Sequence, residues 1–485
     1  MPVITAAIDP ITRIEGHLKV EVKVDTVNGV QQVVDAFSIG TLYRGFEKLL
    51  EGRDPRDATL ITSRICGVCP TSHAHAASLA LDHAFGVGGD TDARSASRLL
   101  RNLVHGACYI ESAILHFYLL SLPDFVSPLP MAPWLPGWDV GRRLDPETVA
   151  RFRAHFLDAV AQRRQCHEMG AIYGGKLPHT PAFIMGGFTA VSSADDKALF
   201  GQYLEPLIAW IQGTYVPDTE RLASLWSEYG LMGKGYGHLL SFGVFEQDNA
   251  ANPALLLHRG RLVNGSRGVQ PVDPSRIREE VKHAWYADTD GHRPILESDT
   301  NAQYPKDAAY SWLKAPRYDG DPHEVGSLAR MAVTGDYVGG VSVMDRHLAR
   351  AREALKLGLA MRQWLADLPT GQGAYTHRAN PGAATADGLT EAPRGALGHW
   401  LQVSDGKISK YQIVTPTCWN LSPRDETGRR GPLEEALIGI PVANVDQPIE
   451  VLRVVHSFDP CLDCATHVMR AEPNARVIAL GAVPT

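Results

Sequence analysis

Arg64-Ile65-Cys66-Gly67-Val68-Cys69 and Asp459-Pro460-Cys461-Leu462-Asp463-Cys464 are the stretches that decide how this chain folds. Four soft thiolates suit zinc, iron–sulfur clusters, nickel and iron. A self-contained zinc ribbon sets its two pairs roughly 15–20 residues apart, whereas almost the whole chain lies between these two. If both pairs serve one metal, the fold has to bring the ends of the chain together, with the metal at its centre. Gly67 allows a tight backbone turn between the first two thiols. His73, four residues after Cys69, would share a helix face with it and could hydrogen-bond a metal-bound sulfur. His467 follows Cys464 by three positions and is a further metal-capable group. The first pair alone is compatible with a zinc half-site or a redox pair. Two pairs, each with a flanking histidine, argue for a shared centre.

The rest of the chain reads as an ordinary globular protein of 485 residues, 44% hydrophobic and 21% charged, with net charge −7. That charge gives no electrostatic case for binding nucleic acid. Seven cysteines, with Cys108, Cys166 and Cys418 scattered singly, do not make a secreted disulfide framework. The first residues show neither a basic region nor an apolar run of signal length. No uninterrupted apolar stretch approaches the roughly 20 residues that span a bilayer. The expectation is a cytoplasmic protein with no signal peptide of its own, associated with a membrane only through a partner.

Leu18, Val20, Val22 and Val24 alternate with polar residues, and Asn28-Gly29 divides residues 17–38 into two such runs, a β-hairpin signal. Helical spacing is predicted over 71–85, 93–121, 145–173, 195–228 and 324–367. Residues 122–142 are rich in Pro, Gly and Trp, 229–322 mix short strand signals with turns, and 369–396 hold few large apolar groups. From 397 onward short strands and loops are expected. No linker or internal repeat divides the chain. The fold class is α+β: a single large unit with a core of long helices, an N-terminal β-hairpin and short peripheral sheets.

Further segments carry a resemblance. They are Arg-Ile-Glu-Gly-His at 13–17, Arg-Gly-Phe-Glu at 44–47, Gly-Gly-Lys-Leu-Pro-His at 174–179 and Ser-Trp-Leu-Lys-Ala-Pro-Arg-Tyr-Asp-Gly at 311–320. Gly-Ser-Leu-Ala-Arg at 326–330 and Glu-Ala-Pro-Arg-Gly at 391–395 complete the set. With the two cysteine motifs, in this order, the chain resembles the large subunit of nickel–iron hydrogenases, of the uptake type, over nearly its whole length. The resemblance implies reversible heterolytic cleavage of dihydrogen at a nickel–iron centre held by Cys66, Cys69, Cys461 and Cys464, with carbon monoxide and cyanide on the iron. It implies that Glu15 relays protons, that Arg394 and Pro393 lie against the open metal face with Asp459 nearby, that Thr417 stands near a cyanide, and that His73 hydrogen-bonds a bridging cysteine. Glu47, the carbonyl of Ile413 and His467 match the ligands of a magnesium ion. The implied partners are an iron–sulfur small subunit, which takes the electrons in a heterodimer or an oligomer of heterodimers, and a maturation endopeptidase with nickel-insertion proteins. The domain is then 1–467, and 468–485 is an extension removed during maturation.

Two positions depart from the family pattern. Where members often carry an aspartate near Arg394, the alignment of Arg101-Asn102-Leu103 puts Ser112, and the acid one residue earlier, Glu111, is rotated about 100° around a helix. Asp463 puts a negative charge between the last two cysteines. Three other readings are a dihydrogen sensor with the same centre, an electron-transfer subunit of a respiratory complex, and a zinc-stabilised structural protein.

Overall fold

The alternation at residues 18–24 folds as expected: Leu18–Val27 pairs antiparallel with Val30–Gly40 across Asn28-Gly29. Leu18, Val20, Val22 and Val24 all face the core. A third strand, Ile4–Ile8, adds to the other edge. The structure is a computed structural model and describes residues 3–88, 91–126, 138–141, 144–266 and 268–465, with residues 92, 464 and 465 as backbone alone.

The long helices stand where apolar spacing puts them. They are Pro70–Ala84, Asp92–Ile114 with a π-type continuation Leu115–Ser121, Pro146–Gly174, and Ala194–Trp210 carried on through Ile211–Tyr215 into Val216–Leu225. Asp92–Ile114 packs on both Pro146–Gly174 and Val343–Asp367, and Ala194–Trp210 touches the same two helices. Leu100, Leu103, Val104, Ala107 and Ile110 are completely buried in this bundle, the stripe expected of a core helix. The Ala93–Asp124 stretch is long and apolar enough to cross a membrane, yet most of it is covered by the rest of the fold.

Two expectations need correction. Residues 324–367 form two helices, Ser327–Thr334 and Val343–Asp367, rather than one. Gly335, at φ 88°, ends the first, and Ser342 caps the second by accepting the Asp345 N–H at 3.2 Å. The apolar spacing runs across the break because both helices pack on one core. The region after 397 is also not all strands and loops: it contains the helices Pro416–Asn420, Pro432–Leu437 and Ile449–Ser457. These are too short for a 3.6-residue period to stand out.

Ala384–Ala392, Gly395–Ser404 and Lys407–Val414 form an antiparallel sheet. This sheet lies against the Pro70–Ala84 helix. The helix that follows the first cysteine pair therefore rests on a sheet from the far end of the chain.

Candidate metal centre

Cys66 and Cys69 occupy the loop between the helices Asp57–Thr62 and Pro70–Ala84, with Pro70 at the first position of the second. Pro70 fixes that helix start, so Cys69 stands at its mouth. Cys461 follows the Ile449–Ser457 helix after Asp459, whose φ of 55° turns the chain inward. The sulfurs of Cys66 and Cys461 are 3.3 Å apart, and those of Cys69 and Cys66 3.1 Å. All three residues are buried. Among the described residues they are the one group of three Cys, His, Asp or Glu residues close enough to hold a metal. The backbone N–H groups of Val68 and Cys69 point at the Cys66 sulfur, at 3.3 and 3.2 Å, favouring its thiolate form. The Cys464 side chain, His467 and residues 468–485 lie outside the described residues.

Arg394 and Pro393 are the two turn residues between Ala392 and Gly395, which pair directly. Arg394 Nη2 lies 3.0 Å from Asp459 Oδ1, both fully buried. Burial opposes the Arg394 charge, but Asp459 and the thiolates of Cys461, Cys69 and Cys66 outweigh it and raise its pKa. Among the described residues its Nε and Nη1 have no hydrogen-bond partner, and neither has the buried Nε2 of His73. Buried polar atoms are rarely left unpaired, so the thiolates, two guanidinium nitrogens and an imidazole nitrogen fit a group that accepts hydrogen bonds as well as sulfur. Thr417 accepts the Cys461 N–H at 3.2 Å through its hydroxyl.

Glu15 comes from the other end of the chain and runs beside Cys461 in a parallel bridge. Its carboxylate accepts the Gly67 N–H at 3.2 Å. Burial, then the charges of Cys66 and Asp463, push its pKa up to about 7, while the Gly67 N–H and Arg394 pull it back. Gly16 packs so closely on the second motif that a Cβ there would meet the Asp463 nitrogen at 2.6 Å.

Glu47 lies apart from the thiolates. It accepts the Ile413 N–H at 2.9 Å and the Thr300 hydroxyl. Lys314 links Thr300 to Glu279, each at 3.2 Å. Glu47, Glu279 and Lys314 are all buried, and two carboxylates against one ammonium suit an added cation. The Ile413 N–H, rather than its carbonyl, is the group that meets Glu47.

Ser112 is buried and its hydroxyl has no hydrogen-bond partner among the described residues. Glu111 bonds Arg163 and lies 3.4 Å from His167. Cys108 and Cys418 keep their protons, since burial pushes both thiols up to about 12.

Three contributors were not singled out from the sequence. Arg44 donates to the carbonyls of both Ile65 and Asp463, joining the two cysteine loops. Arg330 holds the arginine-bearing turn, donating to the carbonyls of Ala392 at 2.9 Å and Pro393 at 2.8 Å while paired with Glu391 and Glu353. Lys314 is the third. All lie inside quoted segments, and a charge set within an apolar run, as in Leu313-Lys314-Ala315, was the available signal.

A family model described as nickel-dependent hydrogenase matches residues 44–133 and 130–467, and one described as HoxL-like matches residues 5–34. The chain is 38% identical to the periplasmic NiFeSe hydrogenase large subunit of Desulfomicrobium baculatum, covering 96% of this chain and 95% of that one. It is 33% identical to the uptake hydrogenase large subunit of Rhizobium leguminosarum bv. viciae, with 95% of both chains covered. The solved NiFeSe hydrogenase of D. vulgaris Hildenborough in the reduced state has a TM-score of 0.91 to it at 40% identity, covering 96% of this chain and 100% of that one.

Proposed function

The chain belongs to the nickel-dependent hydrogenase family as a large subunit, and on that footing we propose how its residues divide the work. The protein is an oxidoreductase that cleaves dihydrogen reversibly to protons and electrons at a nickel–iron centre, with a small subunit as partner. The observation that carries the residue assignment is the meeting of Cys66, Cys69 and Cys461, from opposite ends of the chain, in one buried cluster.

Cys66, Cys69 and Cys461, with Cys464, would hold the nickel–iron centre, Cys66 and Cys461 on the nickel and Cys69 and Cys464 shared with the iron. The bound centre supplies the polarisation that splits dihydrogen heterolytically. A thiolate of the cluster takes the proton. Glu15, half-buried beside Cys461 and raised to about 7, is poised to exchange that proton near neutral pH. Gly67, against which Glu15 packs, is exposed, which gives the proton a way out. Arg394, held by Asp459, keeps positive charge over the open metal face. With the centre bound, Arg394, Pro393 and Thr417 would be the residues that meet its iron-bound cyanides, with carbon monoxide as a further ligand of the iron. His73 would donate a hydrogen bond to a thiolate of the cluster. Glu47, the Ile413 carbonyl and His467 would hold magnesium, Glu47 being linked through Thr300 and Lys314 to Glu279.

The electrons leave through iron–sulfur clusters of the small subunit, since the spare cysteines Cys108, Cys166 and Cys418 are buried and scattered. Residues 1–467 form the working domain. Residues 468–485 are removed by a maturation endopeptidase after nickel-insertion proteins have acted. The assembly is a heterodimer or an oligomer of heterodimers, placed in the cytoplasm or at a membrane by its partners.

Elemental analysis and infrared spectroscopy of the purified complex test the reading. Nickel near one per large subunit, iron in excess of it because the small subunit's clusters add their own, bands of iron-bound carbon monoxide and cyanide, and dye-linked dihydrogen oxidation are expected; zinc without nickel overturns it. The mass of the large subunit in active enzyme should end near His467, and a mass ending at Thr485 counts against maturation cleavage.

A further inference from the structure

Behind the thiolates, three buried polar side chains stand in line. The Tyr411 hydroxyl lies 2.8 Å from His399 Nδ1, and His399 Nε2 lies 3.1 Å from His73 Nδ1. All three are completely buried. The far nitrogen of the line, His73 Nε2, has no hydrogen-bond partner among the described residues. His399 pairs with Ile413, so Tyr411 sits two places along the adjoining strand, on the same sheet face.

Complete burial disfavours the charged form of both imidazoles, and each contact in the line needs one donor and one acceptor. Two neutral rings and one hydroxyl allow two arrangements. In the first, Tyr411 donates to His399 Nδ1, His399 Nε2–H donates to His73 Nδ1, and His73 carries its proton on Nε2. In the second, each bond is reversed. His73 Nδ1–H then donates to His399, His399 Nδ1–H donates to the Tyr411 oxygen, and the Tyr411 proton has no acceptor among the described residues. A buried hydroxyl proton without an acceptor is penalised. The reversed line also leaves a lone pair on His73 Nε2 in a region where Cys66 is the charge that bears most on this ring. The first arrangement presents an N–H there instead.

We propose that Tyr411 and His399 are positioning residues that fix His73 as an Nε2–H donor to the thiolate cluster. The proposal rests on the nickel–iron reading above. Hydrogen bonds to metal-bound sulfur tune the potential and electron density of such centres, so the effect of the line should be read at the metal, although Tyr411 sits two side chains behind His73.

Three variants of the purified complex test this. Tyr411→Phe removes the first donor. His399→Leu breaks the line. His399→Gln preserves its direction, because the amide oxygen can accept from Tyr411 and the amide nitrogen can donate to His73. The readouts are the infrared bands of iron-bound diatomic ligands and the potential at which they change, with nickel content and thermal unfolding alongside. Tyr411→Phe and His399→Leu should shift bands and potential in the same direction with nickel retained, and His399→Gln should stay near wild type. Unmoved bands in Tyr411→Phe, or a His399→Gln shift as large as that of His399→Leu, overturn the proposal. A lowered unfolding temperature with unmoved bands assigns the residues to stability alone, and so overturns it too. Absence of any such bands in the wild-type complex sinks the nickel–iron reading and this proposal with it; normal wild-type bands that ignore Tyr411→Phe sink this proposal alone.

Discussion

Glu15 and Cys461 lie side by side, although nearly the whole chain separates them. The Leu462 N–H donates to the Glu15 carbonyl at 2.7 Å, and the Glu15 N–H reaches the Pro460 carbonyl at 3.4 Å. This backbone pairing keeps the Glu15 carboxylate beside the thiolates, so its position does not depend on its side-chain rotamer alone.

Glu15→Gln keeps the shape and the Gly67 contact but cannot carry a proton. Dye-linked dihydrogen oxidation should fall by about 10²–10⁴-fold, the usual worth of a positioned acid–base group, with nickel content unchanged. Near-wild-type turnover would remove Glu15 from the proton route.

Arg44 ties the two cysteine loops through the carbonyls of Ile65 and Asp463. Arg44→Lys retains the charge but offers a point donor in place of a planar fork. About 1.5–3 kcal/mol of stability should be lost, measured by urea unfolding, and nickel per chain should drop. Full nickel loading in Arg44→Lys would show that the loops meet without this clamp.

Arg330 is fully buried between Glu353 and Glu391. Arg330→Met strands two buried carboxylates, and breaking such a pairing costs about 3–5 kcal/mol. Thermal unfolding of the complex should show the loss; a change under about 1 kcal/mol would mean that water replaces the guanidinium.

Glu434 accepts the Ser38 N–H and the Tyr310 hydroxyl, each at 2.9 Å, through one oxygen, while the other has no partner. Burial pushes its pKa from 4.5 up to about 7. Between these values the folded protein holds a proton that the unfolded chain releases. Its contribution is therefore complete below about pH 4.5 and is lost as pH rises to about 7, at up to ~1.4 kcal/mol per pH unit. Urea midpoints across this range should decline less steeply in Glu434→Gln than in wild type, and parallel declines would assign the loss to other groups.

The Ser112 hydroxyl is buried with no hydrogen-bond partner among the described residues, so Ser112→Ala should be within about 0.5 kcal/mol of wild type, or more stable. Ser112→Asp restores the acid often found in relatives and should change turnover or the rate of inactivation by oxygen. If both rates match wild type, the serine is not a tuning position.

The parts legible in the sequence were those with a local signal. The hairpin showed its alternation, Cys66 and Cys461 their spacing and flanks, and the long helices their apolar stripe. The break after Thr334 was also written locally, in Gly335, in Gly339-Gly340 and in the cap Ser342 with Asp345, but the apolar spacing carried the reading across it. The partners of Arg44, Arg330, His399 and Tyr411 had no such signal. Arg44 bonds a carbonyl 419 positions away and His399 a ring 326 positions away. Those contacts exist only once helices and sheet have docked, and no local pattern encodes them.

The backbone pairing of Glu15 with Cys461 also sets a clock. At roughly 5–20 residues per second of synthesis, the first cysteine pair waits on the order of tens of seconds before the second emerges from the ribosome. During that interval Glu15 and the first thiols lack their neighbours, and no nascent chain can own a finished pocket. Assembly of the full thiolate site therefore waits until the second pair has been made, long after the first.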